Sequence, residues 1–173
     1  DLKVLPGYEE LITGMVAVQP RRVSIEDLLK REPVELDFES LHSWIDGRVI
    51  LVTGSAGSIG SEICRQLLHF RPRRLVAVDR SENGQFFLER ELSKLTDPVR
   101  LDVRIADVLD KDRMRQTIEE CRPDIIVHAA AYKHVPLMER HPGEAVRNII
   151  TATRQMADLA VECAIESFLL IST

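Results

Sequence analysis

Residues 49–60 read VILVTGSAGSIG, an unbroken apolar run followed by three glycines that stand three positions apart. An apolar run of this length predicts a parallel strand that is buried on both faces of its sheet. Beyond the second glycine, Ile59, Ile63 and Leu67 recur at helical spacing. The stretch therefore predicts a strand, a tight turn and a helix in direct succession.

The same alternation of apolar strand and amphipathic helix continues along the rest of the chain. Further strands are predicted at 75–78, 99–105, 125–127 and 168–171, and helices at 81–95, 110–120 and from about 142 to 164. Strands that alternate with helices predict a parallel α/β sheet covered on both faces. We predict a Rossmann-type doubly wound sheet over residues 48–173, with strand order 3-2-1-4-5.

Residues 1–47 differ from the rest because prolines and glycines interrupt them and no long periodic segment occurs. One short helix is predicted after Ser24, and Pro33 should end it. Trp44 and Ile45 belong to a further stretch with helical spacing. We interpret residues 1–47 as a linker or as the tail of a preceding domain.

Composition excludes several classes of function. The 173 residues are 45% apolar and 29% charged with a net charge of −5, which is typical of a globular protein and argues against nucleic-acid binding. The three cysteines form no disulfide or zinc pattern, so we expect a cytoplasmic setting. No apolar run approaches the roughly 20 residues of a membrane span, and we expect no membrane contact by these residues. Because the chain begins at Asp1, an anchor in a longer parent stays open.

The glycine turn is the first predicted site. Gly54 would allow the tight turn, Gly57 would let a pyrophosphate approach the backbone, and Gly60 would let the helix press against the strand. The amino end of the helix would offer N–H groups to phosphate oxygens. We predict a dinucleotide phosphate site formed by Gly54, Ser55, Ala56, Gly57, Ser58, Ile59 and Gly60. The alternative is a glycine-rich turn that binds nothing.

The ends of the next two strands supply residues for the adenosine. Asp79 follows the turn at close to the spacing of about 20 residues at which an acid binds ribose hydroxyls. A carboxylate there would repel a 2′-phosphate and favours NAD, whereas neighbouring Arg80 could accept that phosphate and leaves NADP open. Beside them we predict that Ser81 contributes to cofactor binding and that Asp107 and Val108 hold adenine; a plain capping turn is the alternative for the latter pair.

The segment after the fourth strand reads HAAAYKHVPLMER from residue 128. The small residues suit close approach of the cofactor, so we assign cofactor contacts to Ala129, Ala130 and Ala131. The loop that follows lies beside the topological switch point, where ligands bind. We predict substrate contacts for Lys133, His134 and Glu139, although Lys133 could be solvated and His134 could only order the loop.

These motifs, together with DRSE at 79–82 and ADV at 106–108, resemble the extended short-chain dehydrogenase/reductases. More narrowly, they resemble the capsular polysaccharide biosynthesis nucleotide-sugar 4,6-dehydratases that act on UDP-N-acetylglucosamine. The resemblance covers residues 48–173, and residues 1–47 are similar to the linker after that family's membrane-associated part. It implies a nucleotide-sugar substrate, an NAD(P) cofactor and, in many members, assembly as an oligomer.

The resemblance also implies a reaction cycle in which hydride leaves sugar C4, water is eliminated across C5 and C6, and hydride returns at C6. Thr173 is the catalytic position that this chain shares with the family. In the family, an Asp-Lys pair that serves the elimination directly follows this threonine, and a Tyr- or Met-xxx-Lys pair that serves the redox step at C4 comes later. Neither pair is among the 173 residues, so we expect these residues alone to be inactive. Ile149 and Ala152 depart from the family pattern, which has Asn and Gly there. A nucleotide-sugar 4-epimerase and a non-catalytic NAD-binding regulatory domain remain alternatives.

Overall fold

The computed structural model describes residues 3–4, 21–22, 37–95 and 100–172 of the chain. The chain divides into two compact units, Asp1–Asp37 and Phe38–Thr173. In the first unit, Lys3–Val4 pairs with Arg21–Arg22 as an antiparallel ladder. The helix predicted after Ser24 lies outside the described residues, and the linker role of residues 1–47 stays a prediction.

The second unit is built on one parallel sheet of five strands. The strands are β1 (Val49–Thr53), β2 (Arg74–Asp79), β3 (Arg100–Ile105), β4 (Ile125–His128) and β5 (Ser167–Leu170). They lie in the order β3-β2-β1-β4-β5, and every neighbouring pair is parallel. This confirms the predicted Rossmann-type sheet and its strand order of 3-2-1-4-5.

Helices connect the strands. They are α1 (Phe38–Ile45), α2 (Ser58–His69), α3 (Glu82–Leu92), α4 (Lys111–Cys121), α5 (Val135–Arg140), α6 (Pro142–Ala145) and α7 (Ala152–Glu162). A π-helical turn, Val146–Thr151, joins α6 to α7, so the single helix predicted from about 142 to 164 contains one wide turn. Helix α5 lies in a segment predicted as loop, and Pro136 in its first turn suits a helix start.

Helices cover both faces of the sheet. On one face, Leu51 of β1 packs in a cluster with Met114 of α4 and Met156 of α7. On the other face, Ile50 packs in a cluster with residues of α2 and α3, and Ile45 of α1 joins it. Because successive strand residues point to opposite faces, both clusters draw on every central strand. This explains why the strands are continuous apolar runs.

The cysteines are free and lie in or near the core. Burial raises the pKa of Cys64 to about 12, as expected for a thiol that serves as a small core residue. Among the described residues, no group of three or more metal-ligating side chains is close enough together to hold an ion. No helix in the described part of the chain has the length and apolar character to cross a membrane.

Candidate functional site

The glycine turn packs tightly against the end of β4. Gly54 has a φ of +70°, and a Cβ on it would lie 2.6 Å from both the Ala129 carbonyl oxygen and the Ala130 nitrogen. A Cβ on Gly60 would lie only 2.1 Å from the Gly54 carbonyl oxygen. A side chain at either position would clash with backbone, so these two glycines set the shape of the turn.

Gly57 lies on the open side of the turn. A Cβ there would meet only the Gly54 carbonyl oxygen, at 3.2 Å. Gly57 is also the N-cap of α2, and no side chain caps this helix end. The first turn of a helix has N–H groups without intrahelical partners, so this end is suited to an anionic ligand.

Ser55 is turned into the protein and anchors the turn. It is fully buried, its N–H donates to the Val78 carbonyl (3.2 Å), and its hydroxyl donates to Oε1 of Gln85 (3.0 Å). The amide nitrogen of Gln85 donates to the carbonyls of Ala77 and Arg104, each at 2.9 Å. Gln85 therefore connects the turn to β2 and β3, a role that the sequence did not indicate.

Asp79 holds the turn from the end of β2. One carboxylate oxygen accepts from the N–H of Ala56 (3.1 Å), and the other accepts from the N–H of Ser81 (2.8 Å). Ser81 in turn caps α3 by accepting from the N–H of Gly84 (3.2 Å). The orientation of the Asp79 carboxylate is thus set by two backbone donors.

One cleft joins these elements at the carboxyl edge of the sheet. We refer to it as the glycine cleft, and its lining is Gly54, Gly57, Asp79, Arg80, Ala106, Asp107, Val108, Ala129, Ala130, Ala131, Tyr132 and Asn148. Nine of the predicted cofactor residues are in this set. The others, namely Ser55, Ala56, Ser58, Ile59, Gly60 and Ser81, lie in the turn, at the start of α2 or at the cap of α3.

Arg80 and Tyr132 meet across this cleft. The Arg80 guanidinium lies 4.9 Å from the centre of the Tyr132 ring and hydrogen-bonds its hydroxyl, which raises the pKa of Arg80. Its other terminal nitrogen lies 3.4 Å from the Asp107 carboxylate. Asn148, in the π-helical turn, accepts from the N–H of Tyr132 (2.8 Å) and is almost fully buried. Sequence reasoning assigned no role to Tyr132 or Asn148.

His128 lies beneath the cleft as a buried, hydrogen-bonded residue. It is 1% exposed, with Nδ1 2.7 Å from the Thr53 hydroxyl and Nε2 3.4 Å from the Thr153 hydroxyl. Its ring stacks on Phe168. Burial lowers the pKa of His128 to about 4, so the ring is neutral at neutral pH.

A second depression, which we call the apolar groove, lies beside the first. Lys133, Glu139 and Ser172 line it with a set of mostly apolar residues of α5, the π-helical turn and β5. Lys133 also donates to the Ser58 hydroxyl (3.3 Å), so it links the groove to the first turn of α2. His134 is not in the described lining; its carbonyl accepts from N–H groups of α5. Thr173 lies outside the described residues.

The family described as "Polysaccharide biosynthesis protein" matches residues 50–173. The chain belongs to this family. This member is 41% identical, over 175 residues, to capsular polysaccharide biosynthesis protein CapD of Staphylococcus aureus. The alignment covers 100% of this chain and 29% of CapD. It is 31% identical over 129 residues to UDP-N-acetylglucosamine 4,6-dehydratase (inverting) of Campylobacter jejuni, covering 74% of this chain and 37% of that enzyme.

A solved structure agrees with this placement. UDP-glucose-4-epimerase of Stenotrophomonas maltophila, with bound NAD and formylated UDP-arabinopyranose, aligns with this family member at a TM-score of 0.66 and 25% identity. The alignment covers 73% of this chain and 37% of the epimerase. The chain thus spans less than two fifths of each of these three proteins. The resemblance indicated by the sequence motifs is confirmed at the level of the family.

Proposed function

We propose that this chain is the dinucleotide-binding part of an NAD-dependent nucleotide-sugar 4,6-dehydratase that acts on UDP-N-acetylglucosamine in polysaccharide biosynthesis. The observation that carries the proposal is the glycine cleft, where a helix end without a side-chain cap opens beside Gly57. The similarity to the Campylobacter jejuni dehydratase supports the reaction class and the sugar.

The residues of the glycine cleft fit a dinucleotide. The amino end of α2 suits the diphosphate, and Gly57 leaves room for it to reach the backbone. The Asp79 carboxylate suits the ribose hydroxyls, and Asp107 with Val108 suits adenine. Ala129, Ala130 and Ala131 give a surface without long side chains for the other half of the cofactor. When bound, the nicotinamide ring would supply hydride exchange with the sugar.

The proposed substrate side is the apolar groove. Lys133 carries a positive charge toward the first turn of α2, where cofactor and substrate phosphates would meet. Glu139 lines the same groove. Thr173, proposed as a catalytic residue, directly follows Ser172 at its end. His134 stays a candidate for substrate binding through its loop.

A nucleotide-sugar 4-epimerase is the second candidate, and the similarity to the Stenotrophomonas maltophila epimerase favours it. Both reactions would use the same glycine cleft and would differ in the residues that act on the sugar. A cytoplasmic setting, anchoring of a longer parent to a membrane and assembly as an oligomer stay predictions from the sequence. So does the inactivity of these 173 residues alone.

The proposal is tested by measuring NADH binding to the 173-residue chain, by calorimetry or by nicotinamide fluorescence. Gly57→Val places a side chain on the open side of the turn and should weaken NADH binding at least about tenfold. Gly143→Val is the matched control, because a Cβ at Gly143 meets nothing within 4 Å and lies outside the cleft. Equal NADH affinity in both variants and the wild type would contradict the proposal.

A further inference from the structure

Arg80 is the cation that a ribose 2′-phosphate would need. It directly follows Asp79 at the end of β2. A phosphate bound beside the Asp79 carboxylate would be repelled unless a positive charge compensated it. Among the described residues that line the glycine cleft, Arg80 alone carries such a charge. Whether the site accepts a phosphorylated ribose therefore depends on where the Arg80 guanidinium is held.

The Arg80 guanidinium is engaged by two other residues of the cleft lining. Its central carbon lies 4.9 Å from the centre of the Tyr132 ring, one terminal nitrogen donates to the Tyr132 hydroxyl, and the other lies 3.4 Å from the Asp107 carboxylate. The cation–π contact and the hydrogen bonds both favour this position. While Arg80 keeps these partners, fewer of its N–H donors and less of its charge are available to a 2′-phosphate.

The backbone of Tyr132 is held in place by the side chain of Asn148. Its N–H donates to the side chain of Asn148, which is 6% exposed and belongs to the π-helical turn. A buried amide oxygen that loses its donor is costly, so this hydrogen bond fixes the backbone that carries the ring. The ring thus approaches Arg80 from the end of β4, whereas Arg80 comes from the end of β2, on the other side of β1.

We infer that Tyr132 determines cofactor specificity by holding the Arg80 guanidinium away from the ribose 2′ position, so that the site selects NAD over NADP. Tyr132 acts through Arg80 and is a positioning residue for specificity. The inference rests on the proposed function, since it requires that the glycine cleft bind a nicotinamide dinucleotide. Two residues then act together on specificity. The Asp79 carboxylate repels a 2′-phosphate, and Tyr132 keeps the Arg80 guanidinium from compensating that repulsion.

The test compares dissociation constants of NAD⁺ and NADP⁺ for the 173-residue chain by calorimetry. Tyr132→Phe keeps the ring and removes the hydroxyl, and should raise NADP⁺ affinity relative to NAD⁺ about fivefold. Tyr132→Leu removes both, and should raise the same ratio about tenfold or more. Arg80→Ala in the Tyr132→Leu background should abolish this gain, because the released guanidinium is then absent.

Phe86→Leu is the matched control. Arg90 lies over the Phe86 ring at 5.7 Å, so this variant removes a similar cation–π pair on α3, outside the lining of the glycine cleft. The ratio of the two affinities should stay at the wild-type value.

Each outcome separates the inference from the proposed function. A wild-type protein that binds neither dinucleotide would overturn the proposed function. A wild-type protein that binds NAD⁺, with an unchanged affinity ratio in Tyr132→Leu or with both affinities reduced together, would overturn only the role of Tyr132. A wild-type protein that binds NADP⁺ more tightly than NAD⁺ would likewise overturn only the role of Tyr132.

Discussion

The glycine cleft and the apolar groove share the carboxyl edge of one sheet but differ in how their residues are held. In the cleft, both Asp79 oxygens and the Asn148 carbonyl oxygen each accept from a backbone N–H. In the groove, large apolar side chains stand open: Val135 is 64% exposed and Ile150 is 63% exposed. The cleft is thus organised by contacts within this chain, whereas these two groove side chains are largely open to solvent. Substitutions in the two regions should therefore have different consequences.

The largest effect is expected at Gly60. Gly60→Ala would place a methyl group 2.1 Å from the Gly54 carbonyl oxygen, so the turn and α2 would have to separate. We expect the free energy of unfolding to fall by about 3 kcal/mol. Urea denaturation followed by circular dichroism measures it.

The control for this substitution is Gly143→Ala, where the new methyl group meets nothing within 4 Å. It should change the free energy of unfolding by less than about 1 kcal/mol. If Gly60→Ala were as stable as Gly143→Ala, the close packing of the turn on α2 would be wrong.

A smaller effect is expected from His128, which bridges Thr53 on the cleft side and Thr153 on the groove side. Its pKa is lowered from 6.5 to about 4, so the folded state binds fewer protons than the unfolded state between these values. The stability that this neutral ring provides is present above pH 6.5 and is lost as pH falls toward 4. At pH 4.5 the loss should be about 2 kcal/mol relative to pH 7.

The measurement is the free energy of unfolding between pH 7 and pH 4.5, compared with a His128→Gln variant in which this contribution is absent. Titration of the His128 ring by NMR is an independent check. A ring pKa near 6.5 in the folded protein would remove the predicted dependence and would indicate that the ring is hydrated.

The smallest effect is expected in the groove. Ile149 is 38% exposed and lies in the π-helical turn next to Asn148. Ile149→Asn, which introduces the residue that the family resemblance leads us to expect at this position, should change the free energy of unfolding by less than about 0.5 kcal/mol. NADH affinity should stay within about twofold of wild type. A large loss of either would show that the groove is coupled to the cleft, and would end the distinction between them.

The sequence was informative where a site is built from contiguous residues. The strand, glycine turn and helix of residues 49–69 could be predicted because turn geometry and helix packing require glycine at fixed spacing. The position of Asp79 beside the glycine turn could be predicted because Asp79 ends the neighbouring strand. The apolar periodicity of each helix likewise predicted the layers that cover the sheet.

Prediction ended where side chains from distant segments meet. Arg80 and Tyr132 are far apart in sequence, and their contact depends on the final geometry of two strand ends. Gln85 looked like an ordinary polar residue of a helix, and its burial depends on the close packing of α3 on the turn. The π-helical turn was missed because the apolar periodicity around it is compatible with one regular helix.

That wide turn, Val146–Thr151, has a consequence for how the protein can diverge. A π-helical turn holds one residue more than regular winding requires, so a one-residue deletion there can be absorbed without rotating α6 or α7. The side chains of α7 would keep their places against the sheet while the Asn148 amide moved. Gain or loss of a single codon could thus change the shape of the glycine cleft near Asn148 while the packing of the hydrophobic core stays the same.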